Sequence, residues 1–434
     1  MDKSENITVV YGTTSIADAF INSRYNRENN VFACTQGGEF FHGIAAISLN
    51  ELMDIEISTI ERVVICSVFV SDILKSLIEI NIPIELIHYY NHAEHKLITC
   101  SELIIPRVQK NSVLHAVYDL SCNLPCFDVC NFVVLAEMER IKQKKQFIHF
   151  IILPDRSSGH DHFGIRKFHS EEDYQWRVDK IVKSMMACLP STLSISELPY
   201  REAIANLLDP QCCCFPEHAK NLTDAHPFNT RLLRSFYDKQ ANTSLSVLKA
   251  PQNAQHLVKQ YLDKELNGRK LITITLREYQ HQTKRNSRIN DWGKFLATLD
   301  LGKYYPLIVR DFYTSTETTP TELSAYDQFL PASIDFTVRL ALYEKAYINM
   351  GVSTGPTYTI SFLKNARSIV FQMLDEDNPA TSSETTKRSG IEIGKNFFFN
   401  DNPNQLTIWA DDTYENLVHA FSSLTQRIEN TKGR

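Results

Sequence analysis

The chain has 434 residues, a formal net charge of −6, 43% hydrophobic and 22% charged residues. That balance describes a globular protein of two or three domains and excludes disordered or fibrous chains. The acidic surplus argues against nucleic acid as a partner, because phosphate binding needs concentrated positive charge.

No apolar run reaches the roughly 18 residues of a membrane-spanning helix. The opening MDKSENITVVYG enters a strand without a signal-peptide core, so the expected location is cytoplasmic. Residues 1–108 alternate strand and helix: ITVVYG, a helix from Ser15 to Asn22, NVFAC, a helix near Leu49 to Met53, ERVVICSV, a helix from Asp72 to Ile80, and IPIELIHYY. Strands separated by helix-length segments predict a parallel α/β sheet, here a Rossmann-like accessory domain. Its first turn, GTTSIA, has one glycine where a dinucleotide fingerprint needs three, and ACTQGG lacks the ribose-binding acid. The stretch Ile7 to Tyr90 resembles the small nucleotide-binding-like domains appended to sugar-modifying enzymes of bacterial surface polysaccharide pathways.

Residues 109–252 read as a second α/β unit. A strand near His115 to Tyr118 leads through a loop with Pro125 to a helix from Asp128, with Asp128 as its N-cap and Leu135, Met138 and Ile141 on one apolar face. The buried strand FIHFIILPD follows, then the loop DRSSGHDHFGIRKFH and the helix EEDYQWRVDKIVKSMMACL; PQCCCFPEHAKNLTDAHPFNT reads as a long loop. Ten cysteines, including Cys122, Cys126, Cys130 and the run Cys212 to Cys214, lack paired metal-ligand spacing and read as reduced thiols.

Residues 253–434 open with a helix from Asn253 to Leu266 closed by Gly268. They continue as KLITITL, a helix from Trp292 to Leu299, YPLIVR, a helix from Asp327 or Asp335 to Lys345, YINMGV, a helix after Pro356, and SIVFQM. Four apolar strands with intervening helices predict a second parallel sheet, which binds ligands beyond its C-terminal strand ends. Those ends carry Arg277, Lys284, Arg285, Asn286 and Arg288 after the first strand, Asp311 after the second, and Ser353-Thr354-Gly355-Pro356 after the third. Guanidinium groups, a helix start and a carboxylate on one edge suit a nucleoside diphosphate. Gly355 would let the backbone approach phosphate closely, and Pro356 would start the helix.

At these residues the chain resembles GT-B nucleotide-sugar glycosyltransferases. VSTGPTYTISFL is similar, with one inserted residue, to the Ser-Gly-Pro turn of heptosyltransferases, and TLREYQ is similar to the fucosyltransferase pattern with Arg after the first strand of the donor half. The chain also resembles, over Leu114 to Ala420, a group of bacterial proteins with TLRE, RNS, W and GP landmarks. The heptosyltransferase pattern has a histidine shortly after the turn where this chain has Tyr358, which leaves the sugar open. The resemblance implies a Rossmann-like N-terminal domain followed by two facing Rossmann-like halves, 109–252 for the acceptor and 253–434 for the donor. It implies a nucleotide-diphosphate sugar as substrate, no cofactor and no metal, and a glycan, lipid-linked or protein acceptor, with peripheral membrane association left open. The acceptor hydroxyl would lose its proton to a group in the first half, for which Asp119, Asp155, His160, Asp161 and His162 are all candidates. The His160-Asp161-His162 spacing could alternatively ligate a metal. A sugar-nucleotide hydrolase or epimerase, or a non-catalytic sugar-nucleotide-binding scaffold, are the alternative functions.

Overall fold

Short β-branched runs separated by helix-length segments build three mainly parallel sheets, which set every strand end discussed below. The computed structural model describes residues 6–27, 29–100, 112–155, 170–208, 212–217, 219, 227–239, 243–280, 282–372, 374–378 and 381–432. The chain divides into two compact units, Met1–Val108 and Gln109–Arg434.

In the first unit the strands are β1 (Ile7–Tyr11), β2 (Asn30–Ala33), the hairpin β3 (Phe40–Phe41) and β4 (Ile44–Ala45), β5 (Ile60–Ile65), β6 (Ile87–Asn91) and β7 (Lys96–Thr99). The main sheet runs β2-β1-β5-β6-β7, parallel except for β7, which returns antiparallel to β6. Successive side chains alternate between faces, so Val9 and Val63 enter one apolar cluster and Val10 and Val64 another. The hairpin and β7 are additions to the expected alternation. Gly12 has φ +129°, and a Cβ there would stand 2.4 Å from the Cys66 carbonyl oxygen. Close passage of β1 past the end of β5 therefore requires this glycine, without reference to phosphate.

The second unit holds two sheets. Strands β8 (Val113–Asp119), β9 (Phe147–Leu153), β10 (Thr192–Glu197) and β11 (Cys214–Phe215) run in the order β10-β9-β8-β11, all parallel. Part of the expected long loop thus supplies the edge strand β11. The helix Val129–Lys142 does not present the single apolar face read from its sequence: every residue from Val129 to Met138 is buried. The helix after Ser170 also departs from expectation, widening into a π-helical stretch over Val178–Lys183.

The other sheet has six strands where four were expected: β12 (Lys270–Thr275), β13 (Tyr304–Val309), β14 (Asp327–Gln328), β15 (Ile348–Val352), β16 (Ser368–Phe371) and β17 (Gln405–Ile408). Their order is β14-β13-β12-β15-β16-β17, all parallel, and the two unexpected strands are short edges. Counted along the chain this is 3-2-1-4-5-6, the doubly wound order, whose direction of winding reverses between β12 and β15. Asp335, not Asp327, caps the helix Phe336–Lys345, accepting from the Thr337 amide at 2.8 Å. One apolar core crosses both sheets, joining Phe132, Phe150 and Met185 to Leu307, Leu342 and Phe362. Shared burial therefore holds the two Rossmann-like halves as one compact unit.

Candidate functional site

The reversal between β12 and β15 opens a crevice at their C-terminal ends, and two segments fill its rim: the loop after β12 and the turn after β15. The first organises itself around Arg277. This side chain is only 7% exposed, and its guanidinium turns back into its own loop, donating to the Gln282 carbonyl at 3.0 Å and to Asn286 Oδ1. Asn286 in turn accepts from the Tyr279 amide at 3.1 Å and donates to the Tyr279 carbonyl at 2.9 Å. Arg277 and Asn286, both expected to meet the ligand, thus shape the loop that carries Arg285.

Arg285 reaches across the crevice and donates to the Ser353 carbonyl at 2.9 Å and to Gln282 Oε1 at 2.9 Å. Burial, together with the like charge of Arg277, pulls its pKa down to about 10. Its Nε is buried without a partner, and so is the hydroxyl of Ser353, a residue 8% exposed. Both line a cleft of ≈ 250 Å³, which two further residues with orphaned atoms, Thr381 Oγ1 and Asn400 Oδ1, also line. Four buried polar atoms left unpaired around one cavity cost free energy in the empty protein, a cost that a polar ligand can remove.

The turn itself bears on two expectations. The helix Gly355–Thr359 is only five residues long, and its Thr357 amide already donates to the Thr354 hydroxyl in a reciprocal capping arrangement, so it offers little free N-terminal capacity for an anion. Gly355 is tight against protein: a Cβ there would lie 2.5 Å from the Phe127 side chain of the other half. Glycine at 355 lets the halves touch, beside the cleft that it also lines. Pro356 does occupy the first turn of the helix.

The opposite wall of the cleft comes from the first half, through Phe127, Asp128 and Thr230. Asp128 makes no capping hydrogen bond at the helix it precedes, contrary to its reading as an N-cap. Asp128 is an exposed residue, and crowding by the surrounding protein raises its pKa despite a hydrogen bond from Cys126. Tyr358 closes the wall, donating to Asn131 Oδ1 at 2.8 Å. The sequence reading missed Asp128 as a cleft residue, although its place in the loop after a C-terminal strand end was a usable signal.

Asp311 lies elsewhere. It lines a second cleft of ≈ 110 Å³ with Tyr279 and Arg339, and it accepts from the Glu278 amide at 2.7 Å. Burial raises its pKa against the pull of that hydrogen bond and of Arg339 and Arg277.

Asp119 is committed to Arg201, which grips both of its oxygens at 2.6 Å, while the Ser121 amide and hydroxyl donate to Oδ1 at 2.9 and 2.7 Å. Burial pushes this carboxyl up, but the hydrogen bonds from Arg201 and Ser121 outweigh it and hold the pKa below the ordinary value. So low a basicity suits a structural ion pair better than proton abstraction. Asp155 follows β9 close enough to Arg201 to act on its charge, and the structure puts it in neither described cleft. His160, Asp161 and His162 lie outside the described residues. Among the described residues no group of three or more His, Cys, Asp or Glu could hold a metal, and all ten cysteines are free thiols. No helix among them is long and apolar enough to cross a membrane.

The second unit sets a six-stranded parallel Rossmann-like sheet beside a smaller parallel one. Similar solved structures include a family 9 glycosyl transferase from Veillonella parvula, with 9% identity, 73% of this chain and 97% of that one covered, and a TM-score of 0.37. The ADP-heptose lipopolysaccharide heptosyltransferase II of Escherichia coli is also similar, with 9% identity, 73% and 99% coverage and a TM-score of 0.43. A UDP-GlcNAc 2-epimerase from Neisseria meningitidis matches 98% of this chain and 92% of its own at 9% identity, with a TM-score of 0.29. No protein-family model and no curated protein matches the sequence.

Proposed function

We propose that the protein is a glycosyltransferase that moves a sugar from a nucleotide-diphosphate donor to a hydroxyl of a glycan, lipid-linked or protein acceptor. The observation that carries this reading is the pair of buried, unpartnered groups at the winding reversal, Arg285 Nε and Ser353 Oγ, which call for an anionic, hydrogen-bonding ligand. Arg285 would oppose the charge that develops on the departing diphosphate. Ser353, Thr354, Thr381 and Asn400 would take up hydroxyl groups of the donor.

In the transfer, the acceptor oxygen bonds to the anomeric carbon as the bond from that carbon to the diphosphate oxygen breaks. The acceptor proton passes to Asp128, and the diphosphate leaves with the electron pair. A carboxylate of raised pKa is a better base than an ordinary one and remains ionised once the pH exceeds that pKa. The reading needs neither a metal nor a cofactor, and a cytoplasmic setting would supply the donor.

The test is calorimetric titration of nucleoside diphosphates and their sugars into the whole protein, with and without a chelator. Binding of at least one of them, undiminished by chelation, is expected, and no binding from any of them overturns the proposal. With a turnover assay in hand, Asp128→Asn should lose at least about a hundredfold in kcat, the scale of general base catalysis, with nucleotide affinity unchanged. The wild-type rate should climb with pH through a carboxyl pKa above the ordinary value, because the base works only when deprotonated. An Asp128→Asn variant of normal kcat would remove this residue from the chemistry.

A further inference from the structure

The cleft that contains Asp311 has no part in the donor reading, although it adjoins the donor cleft: Phe127 lines both, and Pro356 of this cleft follows Gly355 of the other. Its walls are aromatic and charged. Trp176 from the first half stacks on Phe312 from the second, with ring centroids 4.4 Å apart and planes 28° apart, and Tyr279 and Tyr313 stand beside them. Arg177 lines the cleft while paired to Asp173 at 3.1 Å, and Arg339, 5% exposed, is held by the main-chain carbonyls of Ala332 and Arg310. Lys180 is exposed and makes no ion pair among the described residues. It projects from the π-helical stretch Val178–Lys183, a distortion that often marks functional positions.

Interface packing alone would account for the stacked rings. It does not account for the exposed Lys180, which makes no ion pair among the described residues, nor for an open cleft left beside the rings. We infer that this cleft receives the acceptor, and that the acceptor is a carbohydrate bearing an acidic group, carboxylate or phosphate; the inference rests on the transferase reading above. The C–H face of a sugar ring carries slight positive charge and packs against the negative face of an aromatic ring. Asp311 accepts from sugar hydroxyls, and Lys180 and Arg177 meet the acid. Because Phe127 lines both clefts, a sugar held here lies next to the donor cleft, which Asp128 also lines.

The experiment is saturation-transfer NMR on the whole protein with three probes, methyl glucuronide, glucose 6-phosphate and methyl glucoside, each with and without a mixture of UDP, GDP, ADP and CDP. One acidic probe should bind about tenfold tighter than the neutral one, the worth of a charge-assisted hydrogen bond, and should stay bound when the nucleotides are added. Which acidic probe wins identifies the acid as carboxylate or phosphate. Lys180→Glu, on the surface, should erase that preference and leave nucleotide affinity within about twofold. Equal binding of all three probes, displacement of the acidic probe by nucleotide, or an unchanged preference in Lys180→Glu would each overturn the inference. Absence of nucleotide binding would instead strike the donor reading.

Discussion

Asp119 and Arg285 both stand on the C-terminal side of the sheets of the second unit, Asp119 as the last residue of β8 and Arg285 in the loop that follows β12. From sequence they are equals, two charges at strand ends. In the structure one charge is fully answered and the other is not. Asp119 has both oxygens gripped by Arg201 and two more hydrogen bonds from Ser121, whereas Arg285 rests on a carbonyl and an amide oxygen with Nε unpaired and makes no ion pair among the described residues. A buried charge already neutralised by the protein holds the fold together, and one left over awaits a ligand.

The sharpest break of that comparison is Asp119→Ala. Losing the carboxylate strands a buried guanidinium, and unfolding in denaturant should show a loss of about 3–5 kcal/mol. The pH dependence has a definite sign. The folded carboxyl titrates below its unfolded value, so the pair contributes fully above about pH 4 and is lost as the pH falls through the depressed folded pKa. Asp119→Ala should therefore lack that acid limb. A cost under about 1 kcal/mol would mean that Asp119 is as unspent as Arg285, and would return it to the candidates for catalysis.

Arg285→Ala tests the other side. It should weaken nucleoside diphosphate binding by about 1.5–3 kcal/mol in calorimetry, the worth of a charged hydrogen bond. Stability should move by no more than about 0.5 kcal/mol, because the substitution also removes a buried, incompletely satisfied group. Strong destabilisation with unchanged affinity would make Arg285 a second structural charge and dissolve the contrast.

Gly355→Val asks whether the turn beside Arg285 serves ligand or packing. A Cβ 2.5 Å from Phe127 must displace the ring or separate the halves, so a loss of about 1–3 kcal/mol is expected by thermal or chemical unfolding. Phe127→Ala in the same chain should recover part of it. Full stability with nucleotide binding lost would return the glycine to the phosphate-approach role expected from sequence.

The strands and their order of appearance were legible because β-branched runs such as KLITITL and SIVFQM are short, apolar and spaced by helix-length segments. The edge strands β14 and β17 were not, since two to four residues carry no periodicity. The rule that ligands meet parallel sheets at their C-terminal ends brought out Arg285 and Ser353. It could not separate them from Arg277 and Asn286, which hydrogen-bond to each other and shape the loop, or from Asp311, which lines another cleft. The contact of Gly355 with Phe127 was hidden for a related reason. A glycine after a strand looks the same whether phosphate or a phenyl ring approaches, and Phe127 is distant in sequence. Asp128 was read as a cap because sequence shows the position and not the missing hydrogen bond.

The smallest effect expected is at Tyr358, where the heptosyltransferase pattern departs from this chain. Its hydroxyl donates to Asn131 Oδ1 across the two halves at 2.8 Å, with Thr230 Oγ1 at 3.5 Å. Burial drives the phenol well above its usual pKa, so it remains a protonated donor at any working pH and the contact cannot act as a pH switch. Tyr358→Phe should cost about 1 kcal/mol, the net worth of one neutral hydrogen bond. Asn131→Leu, which removes the acceptor from a residue 1% exposed, supplies the other arm of a double-mutant cycle. If the bond joins the halves, the coupling from denaturant unfolding should be about 0.5–1.5 kcal/mol, and nucleotide affinity in Tyr358→Phe should stay within about twofold. Zero coupling together with a large loss of nucleotide affinity would move Tyr358 from the answered groups, with Asp119, to the unanswered ones, with Arg285.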